Sequence, residues 1–153
     1  MAPAADQAVI QPAGWRDFRQ VLQLERACFE HDAWPWIDIL AALTFPDTVP
    51  LKAVEAGLVV GFAIGDRRRR EGMGWIASIG VHPDWRRRGL ARRLLRACEA
   101  SLGTLHVRLT LRASNTSALL LYQSSGYVDA GRWRNYYRDG EDAIVMEKSL
   151  EAV

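Results

Sequence analysis

Cysteine and histidine are scarce in this sequence, and their scarcity argues against folds built on disulfides or metals. The two cysteines, Cys28 and Cys98, are too few for a disulfide framework, and neither has a CxxC partner. A reduced, cytoplasmic protein is therefore expected. The three histidines, His31, His82 and His106, lie far apart and lack the spacing of metal ligands. We expect no metal site.

Long apolar runs and a secretory leader are also missing. The longest uncharged apolar stretch, Ala56 to Gly65, is about half of the ~20 residues that a membrane-spanning helix needs. Residues Met1 to Ile10 carry no basic residue ahead of an apolar block, so they lack the arrangement of a signal peptide. The sequence predicts neither a membrane partner nor export.

What is present is the composition of one soluble domain spanning residues 1–153. Hydrophobic residues make up 49% of the chain and charged residues 25%, close to the averages of globular domains. A chain of this length buries roughly two-thirds of the surface that its unfolded form exposes. Disordered, collagen-like and coiled-coil classes are excluded.

The basic residues are almost all arginine. The net charge is +2, from 20 basic and 18 acidic residues, and only Lys52 and Lys148 are lysines. The arginines cluster at Arg67 to Arg70, at Arg86 to Arg88 and around Arg92. An arginine-preferring genome explains the total equally well, but a guanidinium fork suits phosphate and carboxylate. The position of each cluster in the fold therefore determines whether it could bind a phosphate.

Periodicity and turn residues predict strands alternating with helices. Predicted helices cover Trp15 to Phe29, Trp36 to Leu43, Gly89 to Ser101, and a stretch from a Ser114 or Asn115 cap to Ser125, ended by Gly126. Predicted strands cover Val9 to Ile10, Leu51 to Glu55, Leu58 to Asp66, Trp75 to Val81, Leu105 to Leu111, Tyr127 to Tyr136, and Ala143 to Glu147. Arg67 to Arg70 is read as a connection. The fold class is α/β with α+β layering: one mixed sheet covered by helices.

The strongest local signal is a basic loop that enters a helix. The strand ending at Val81 is followed by a Pro-Asp turn, the arginines Arg86 to Arg88, and Gly89. The first N–H groups of a helix lack partners and carry the positive end of its dipole, so a phosphate binds there readily. The loop is neither a Walker loop nor a Gly-x-Gly-x-x-Gly motif.

Three blocks together resemble the GCN5-related N-acetyltransferases. Arg86-x-x-Gly89-x-Ala91 is similar to the family's pyrophosphate-binding signature. The segment from Arg112-Ala-Ser-Asn115 through Leu121-Tyr122 to Tyr127 resembles the family's RxSN…LYxxxGF segment. The stretch from Asn135 to Ala143 resembles the ending of enzymes that acetylate protein N-termini. The most similar branch is that of the bacterial ribosomal-protein alanine N-acetyltransferases (RimI type).

This resemblance implies a fold and a coenzyme. The fold is a mixed, mostly antiparallel sheet of six to seven strands, with helices on both faces and a splayed strand pair that holds acetyl-CoA as co-substrate. The resemblance assigns coenzyme contacts to Ile79, Gly80, Val81, Arg87, Arg88, Gly89, Leu90, Ala91, Arg92 and Asn115. The first three pair with the pantetheine arm, and the residues from Arg87 to Arg92 hold the pyrophosphate.

The same resemblance assigns a general acid and leaves the general base open. Tyr122 matches the group that protonates the departing thiolate, although a tyrosine on an apolar helix face also packs in cores. RimI-type enzymes carry a glutamate base where this chain has Thr110. Glu30, Asp32 and Glu141 are the candidate substitutes, and each is also a plausible solvated carboxylate. A base elsewhere, a water, or no base at all are the other readings.

The acceptor site is assigned in the same way. The resemblance implies that Tyr136 and Tyr137 hold the substrate peptide, and neighbours on a strand face opposite ways, so at most one should line the cleft. The segment from Trp34 to Trp36 either lines the peptide-binding cleft or covers the sheet as a hydrophobic cap, and Trp36 is its predicted substrate contact.

The expected function is transfer of acetyl from acetyl-CoA to a primary amine by direct attack in a ternary complex. A protein or peptide α-amine, ribosomal proteins included, is the expected acceptor, because an α-amine (pKa about 8) needs less help from a base than lysine (about 10.4). A small-molecule amine is one alternative, and a non-catalytic acyl-CoA-binding module is another because of Thr110. The low net charge and the lack of aromatics within Arg67 to Arg70 argue against nucleic acid. The oligomeric state is left open.

Overall fold

The structure is a computed structural model that describes residues 8–150. A seven-stranded sheet has the order β1-β2-β3-β4-β5-β7-β6. Its strands are β1 (Val9–Pro12), β2 (Thr48–Glu55), β3 (Leu58–Arg68), β4 (Met73–Val81), β5 (His106–Arg112), β6 (Val128–Trp133) and β7 (Ala143–Ser149). The α-helices are α1 (Phe18–Cys28), α2 (Trp36–Thr44), α3 (Leu90–Leu102) and α4 (Thr116–Ser124). None of the helices within residues 8–150 is long and apolar enough to cross a membrane.

The predicted fold class is confirmed, because helices cover both faces of one mixed sheet. Leu94 and Leu95 of α3 are fully buried in the larger core cluster, which continues through β5 and α4. On the opposite face, Val21 of α1 and Ile39 of α2 pack with Phe62 of β3. The predicted β2–β3 hairpin also forms, through an Ala56-Gly57 turn in which both residues have positive φ (50° and 78°).

The pair β4 and β5 determines where the site lies. These strands run parallel and pair only from Met73 to Trp75 against His106 to Arg108. Beyond Trp75, β4 pairs only with β3 and β5 pairs only with β7, so the two strands part. At the same point β4 contains a bulge, since Ile76 pairs with Gly65 and Ser78 with Ile64, which leaves Ala77 as the extra residue. The predicted splayed pair is therefore β4 and β5.

Two predicted boundaries are wrong. The last strands do not reach Tyr136: β6 ends at Trp133, because Asn135 adopts a left-handed conformation (φ 52°) and its N–H donates to Asp142 Oδ1 at 3.0 Å. Arg67 and Arg68 belong to β3 rather than to a connection. Arg67 donates to the carbonyl oxygens of Ser101 (2.7 Å) and Leu102 (3.1 Å), so this arginine caps the end of α3.

Candidate active site

A cavity of about 720 Å³ opens where β4 and β5 part. Its floor comes from the bulged stretch of β4 and the end of β5, and its far wall from the start of α4. The end of α1 with the following loop closes one side, and the loop between β6 and β7 closes the other. The sequence-predicted site residues Ile79, Thr110, Asn115, Tyr122, Tyr136 and Tyr137 all line it.

The start of α3 has the geometry of an anion-binding site. Arg87 and Gly89 both have positive φ (63° and 76°), which turns the chain into the helix. The N–H of Arg93 makes the first bond of the helix, to the carbonyl of Gly89 at 3.1 Å. The N–H groups of Leu90, Ala91 and Arg92 therefore have no acceptor within the helix and are available to a phosphate. A Cβ at Gly89 would meet nothing within 4 Å, so its backbone is open to a ligand.

The arginines around this loop have different roles. Arg92 donates to Ser124 Oγ at 2.6 Å and so ties α3 to α4. Arg88 lies over the ring of Trp85 at 5.8 Å. Arg86 turns back and donates from Nε to the carbonyl of Val81 at 3.1 Å. Arginine side chains thus lie around the turn, while the backbone N–H groups at the start of α3 form the anion-binding site.

The edge of β4 offers main-chain groups to an extended ligand. From Ile79 to Val81 it has no strand partner on the side of β5. Gly80 is required there, because a Cβ would lie 2.7 Å from the ring of Phe62. The carbonyl of Val81 already accepts bonds from Arg86 and from the thiol of Cys28 (3.4 Å). Of the three predicted residues, Val81 is therefore the one whose carbonyl group is already engaged on this side.

Asn115 and Tyr122 lie on the same short helix. Of the two predicted caps, Asn115 is the one that forms, because its Oδ1 accepts from the N–H of Ala118 at 3.1 Å, and Asn115 also lines the cavity. Tyr122 is 6% exposed and packs edge-on against Tyr127, with ring centroids 5.8 Å apart. Burial, with Tyr137 nearby, raises the pKa of Tyr122 to about 12. Tyr122 is thus both a packed core residue and a protonated hydroxyl group at the cavity wall.

Thr110 lies where the resemblance to the family predicts a glutamate, and it cannot replace a carboxylate base. Its hydroxyl hydrogen-bonds Tyr137, whose pKa is raised mainly by burial and by Asp32. A threonine hydroxyl does not act as a base at neutral pH. The cavity therefore has no carboxylate at this position of β5.

Arg112 binds the carboxylates that were the candidate substitutes. It makes a bidentate salt bridge with Asp32 (2.6 and 2.7 Å) and further salt bridges with Asp139 (2.9 Å) and Glu141 (2.8 Å). Its guanidinium also lies 4.3 Å from the ring centre of Tyr137. Hydrogen bonds from Ser114 and Arg112 lower the pKa of Glu141.

This ion-pair cluster makes the candidate substitutes poor bases. Both oxygens of Asp32 are engaged by Arg112, and Glu141 is held as an anion by Arg112 and the N–H of Ser114 (2.7 Å). Glu30 is exposed and does not line the cavity. The cluster instead joins the loop after α1 to the loop after β6.

Both tyrosines of the β6–β7 loop line the cavity, so the expectation that at most one would do so is wrong. Tyr137 begins a turn closed by a hydrogen bond from the N–H of Gly140 to its carbonyl at 2.9 Å, and Tyr136 directly precedes this turn. Because this segment is not a strand, side chains do not alternate between faces. Their rings are perpendicular, with centroids 5.1 Å apart.

Of the three residues from Trp34 to Trp36, the first two line the cavity. Trp36, the predicted substrate contact, is the first residue of α2, is 54% exposed and does not line it. The structure therefore brings Trp34, rather than Trp36, to the side opposite the tyrosines. Within residues 8–150 no cluster of side chains could hold a metal ion.

Sequence reasoning missed Glu25. This residue is 1% exposed, lines the cavity, and accepts from the N–H of Trp34 (3.3 Å) and the hydroxyl of Ser78 (3.2 Å). Burial raises the pKa of Glu25 to about 7. Its signal was present, because Glu25 falls at helical spacing with Val21 and Cys28 on the buried face of α1, where a carboxylate is unusual.

Comparison with known proteins agrees with this architecture. The model of the Acetyltransferase (GNAT) family matches residues 15–127. The N-alpha-acetyltransferase RimI of Mycobacterium tuberculosis is 34% identical over 136 residues, which cover 86% of each chain. The crystal structure of the ribosomal-protein-S18-alanine N-acetyltransferase from Escherichia coli matches with a TM-score of 0.86 and 28% identity, covering 95% of this chain and 96% of that one.

A solved structure of Arabidopsis thaliana NAA60 in complex with acetyl-CoA has the same fold, with a TM-score of 0.83 at 17% identity, over 95% of this chain and 99% of that one. The family match covers most of the chain and includes the loop before α3 and the Tyr122 helix. The chain therefore belongs to the acetyltransferase (GNAT) family, as its motifs predict, and is an N-acetyltransferase of that family.

Proposed function

We propose that the protein transfers the acetyl group of acetyl-CoA to the N-terminal α-amine of a protein, by direct attack within a ternary complex. The observation that carries this proposal is the placement of both Tyr136 and Tyr137 on one cavity with Tyr122. A pair of tyrosines that presents two hydroxyl groups fits the backbone of an extended peptide. The RimI relatives, one of which acts on alanine of ribosomal protein S18, support a ribosomal protein in the cytoplasm as the acceptor.

The coenzyme fits the residues present. Its pyrophosphate would lie on the free N–H groups at the start of α3, and its extended arm would lie along Ile79 and Gly80. When bound, acetyl-CoA supplies an acyl group activated as a thioester. Asn115, which lines the cavity at the start of α4, would offer its NH₂ group as a further donor to the coenzyme.

Tyr122 is suited to protonating the thiolate that departs. With its pKa near 12 it stays protonated at every physiological pH, which is the state that a general acid needs. Its position is fixed by close packing against Tyr127. The hydroxyl therefore needs little reorganisation when the C–S bond breaks.

The experiment is a comparison of acceptors. The protein is incubated with acetyl-CoA and, in separate reactions, with a peptide that begins with Ala, the same peptide with a blocked N-terminus and an internal lysine, and a panel of polyamines. We expect release of free CoA with the first peptide only, and mass spectrometry should place the acetyl group on its α-amine. Turnover confined to the polyamines would identify a small-molecule acetyltransferase instead. Coenzyme binding without any transfer would identify a binding module.

A further inference from the structure

The acceptor reaches the cavity mostly as an ammonium ion, and a proton must leave before nitrogen can attack. An α-ammonium has a pKa of about 8, so about a tenth is neutral at pH 7. Thr110 cannot take the proton, and the carboxylates of Asp32 and Glu141 are bound to Arg112. A carboxylate base within the cavity would therefore come from another element.

Glu25 is the carboxylate that the fold brings to the right place. Helix α1 carries it onto the opened part of β4, where it accepts from the hydroxyl of Ser78. Ser78 directly precedes Ile79, whose backbone is a proposed coenzyme contact, so Glu25 lies one hydrogen bond away from that strand edge. It lines the same cavity as Tyr122 and Tyr137.

From this geometry we propose that Glu25 is the general base that deprotonates the α-ammonium of the acceptor. This proposal rests on the proposed function. The carboxylate takes one proton from the ammonium and later releases it to water. The neutral nitrogen forms the C–N bond while the C–S bond breaks. The thiolate takes the proton of Tyr122, and the proton that the amide nitrogen sheds replaces it.

The surroundings of Glu25 suit this role. Within residues 8–150 no salt bridge neutralises Glu25; its hydrogen-bond donors are the neutral hydroxyl of Ser78 and the N–H of Trp34, and burial is the main reason that its pKa lies near 7. The other titratable or charged groups that line this cavity are Arg26 on α1, His31 and Asp32 in the next loop, Arg112 on β5, Tyr122 on α4, and Tyr136, Tyr137 and Arg138 in the β6–β7 loop; Cys28 on α1 also interacts electrostatically with Glu25. Asp32 is already paired with Arg112.

This base also favours one class of amine. A carboxylic acid with a pKa near 7 lies about one pKa unit below an α-ammonium and more than three units below the ammonium of lysine. Proton transfer to Glu25 is therefore only slightly uphill for a protein N-terminus. For a lysine side chain the equilibrium constant for this proton transfer is lower by about a hundredfold or more.

The test is the pH dependence of kcat/KM for the Ala-starting peptide in Glu25→Gln. We expect a fall of about 10²-fold or more near pH 7, a deficit that narrows as pH rises past the pKa of the peptide amine, and unchanged affinity for acetyl-CoA. The matched control is Glu99→Gln: Glu99 is also buried (6% exposed), but it binds Tyr127 and Lys148 outside the cavity. Its profile should keep the wild-type shape.

A rescue experiment separates catalysis from structure. Adding Thr110→Glu to Glu25→Gln places a carboxylate at the family position and should restore much of the activity at neutral pH. Wild-type activity with an unchanged pH profile in folded Glu25→Gln would overturn the base assignment while leaving the proposed function intact. A wild-type protein that acetylates no α-amine would overturn the proposed function itself. If Glu25→Gln does not fold, the wild-type profile decides when it is measured with two peptides whose N-terminal amines differ in pKa. A limb that stays fixed between the two peptides supports an enzyme base, and a profile that moves entirely with the peptide amine would overturn the assignment.

Discussion

At the scale of single residues, two neighbouring tyrosines have different chemistry because their hydroxyl groups have different partners. The rings of Tyr122 and Tyr127 are in edge contact. The hydroxyl of Tyr127 donates to Glu99 Oε2 at 2.8 Å, away from the cavity, and burial and the Glu99 carboxylate raise its pKa. Tyr122 lines the cavity instead.

Replacing Tyr122 with Phe should therefore slow the reaction without weakening coenzyme binding. We expect kcat to fall about 10²-fold or more, because the thiolate would leave without a proton donor, and the Kd for acetyl-CoA by calorimetry should stay within about twofold. The control Tyr127→Phe should keep kcat and lose about 1 kcal/mol of unfolding free energy with its hydrogen bond. Equal kcat losses in the two variants would argue against an acid role for Tyr122.

At the scale of elements, α3 has a left-handed glycine at each end, and only one of them faces a proposed ligand. Gly89 precedes the helix with φ 76°, and Gly103 follows it with φ 65°. A Cβ at either position would meet nothing within 4 Å, so alanine should cost about 1–2 kcal/mol of backbone strain at both. Their stability effects should therefore match.

Coenzyme affinity should distinguish them. We expect Gly89→Ala to raise the KM for acetyl-CoA about tenfold, because the new methyl group and the altered turn oppose close approach of the pyrophosphate to the N–H groups. Gly103→Ala should leave this KM unchanged despite an equal loss in Tm. If both variants raise the KM for acetyl-CoA equally, the effect is one of stability, and the pyrophosphate does not bind at the start of α3.

Strand β5 presents a second element-scale comparison, since Arg108 and Arg112 lie on the same face. Arg108 pairs only with Glu147 (3.3 Å) among the residues described, whereas Arg112 joins the two loops that bound the acceptor side. Lysine cannot reproduce the forked contact with Asp32. Arg112→Lys should therefore raise the KM for the peptide about tenfold, with the KM for acetyl-CoA kept.

Arg108→Lys serves as the control and should change neither constant, because a partly exposed pair contributes about 1 kcal/mol or less. The measurement is initial rates with each substrate varied in turn. An unchanged peptide KM in Arg112→Lys would mean that the loops hold their positions without the ion-pair cluster.

At the scale of the whole molecule, the sequence predicts the features that depend on local residue patterns and misses those that depend on tertiary packing. The basic-glycine entry to α3 and the cap at Asn115 are local, so they could be predicted. The loop around Tyr136 was read as strand because its aromatics favour strands, while Asp142 holds it in a turn. Glu25 was passed over because only the folded sheet brings Ser78 beneath it.

The buried carboxylate of Glu25 should also lower the stability of the whole fold at neutral and alkaline pH. Burial raises its pKa from the ordinary 4.5 to about 7, so between these values the unfolded chain is ionised while the folded chain remains protonated. Raising the pH through this window therefore favours unfolding, and above pH 7 the cost levels off at about 3 kcal/mol or less. Such a cost is typical of a functional group held for its chemistry.

Glu25→Gln, which cannot ionise, should consequently be more stable than wild type at pH 8, by about 2–3 kcal/mol in urea unfolding, while it loses activity. At pH 5.5 this advantage should shrink by about half or more, because the folded wild type is then mostly protonated. Glu99→Gln is the opposite case: it leaves Lys148 without its partner, so stability should fall at both pH values. A Glu25→Gln protein less stable than wild type at pH 8 would indicate that the carboxylate holds α1 onto β4, and that its burial is structural rather than catalytic.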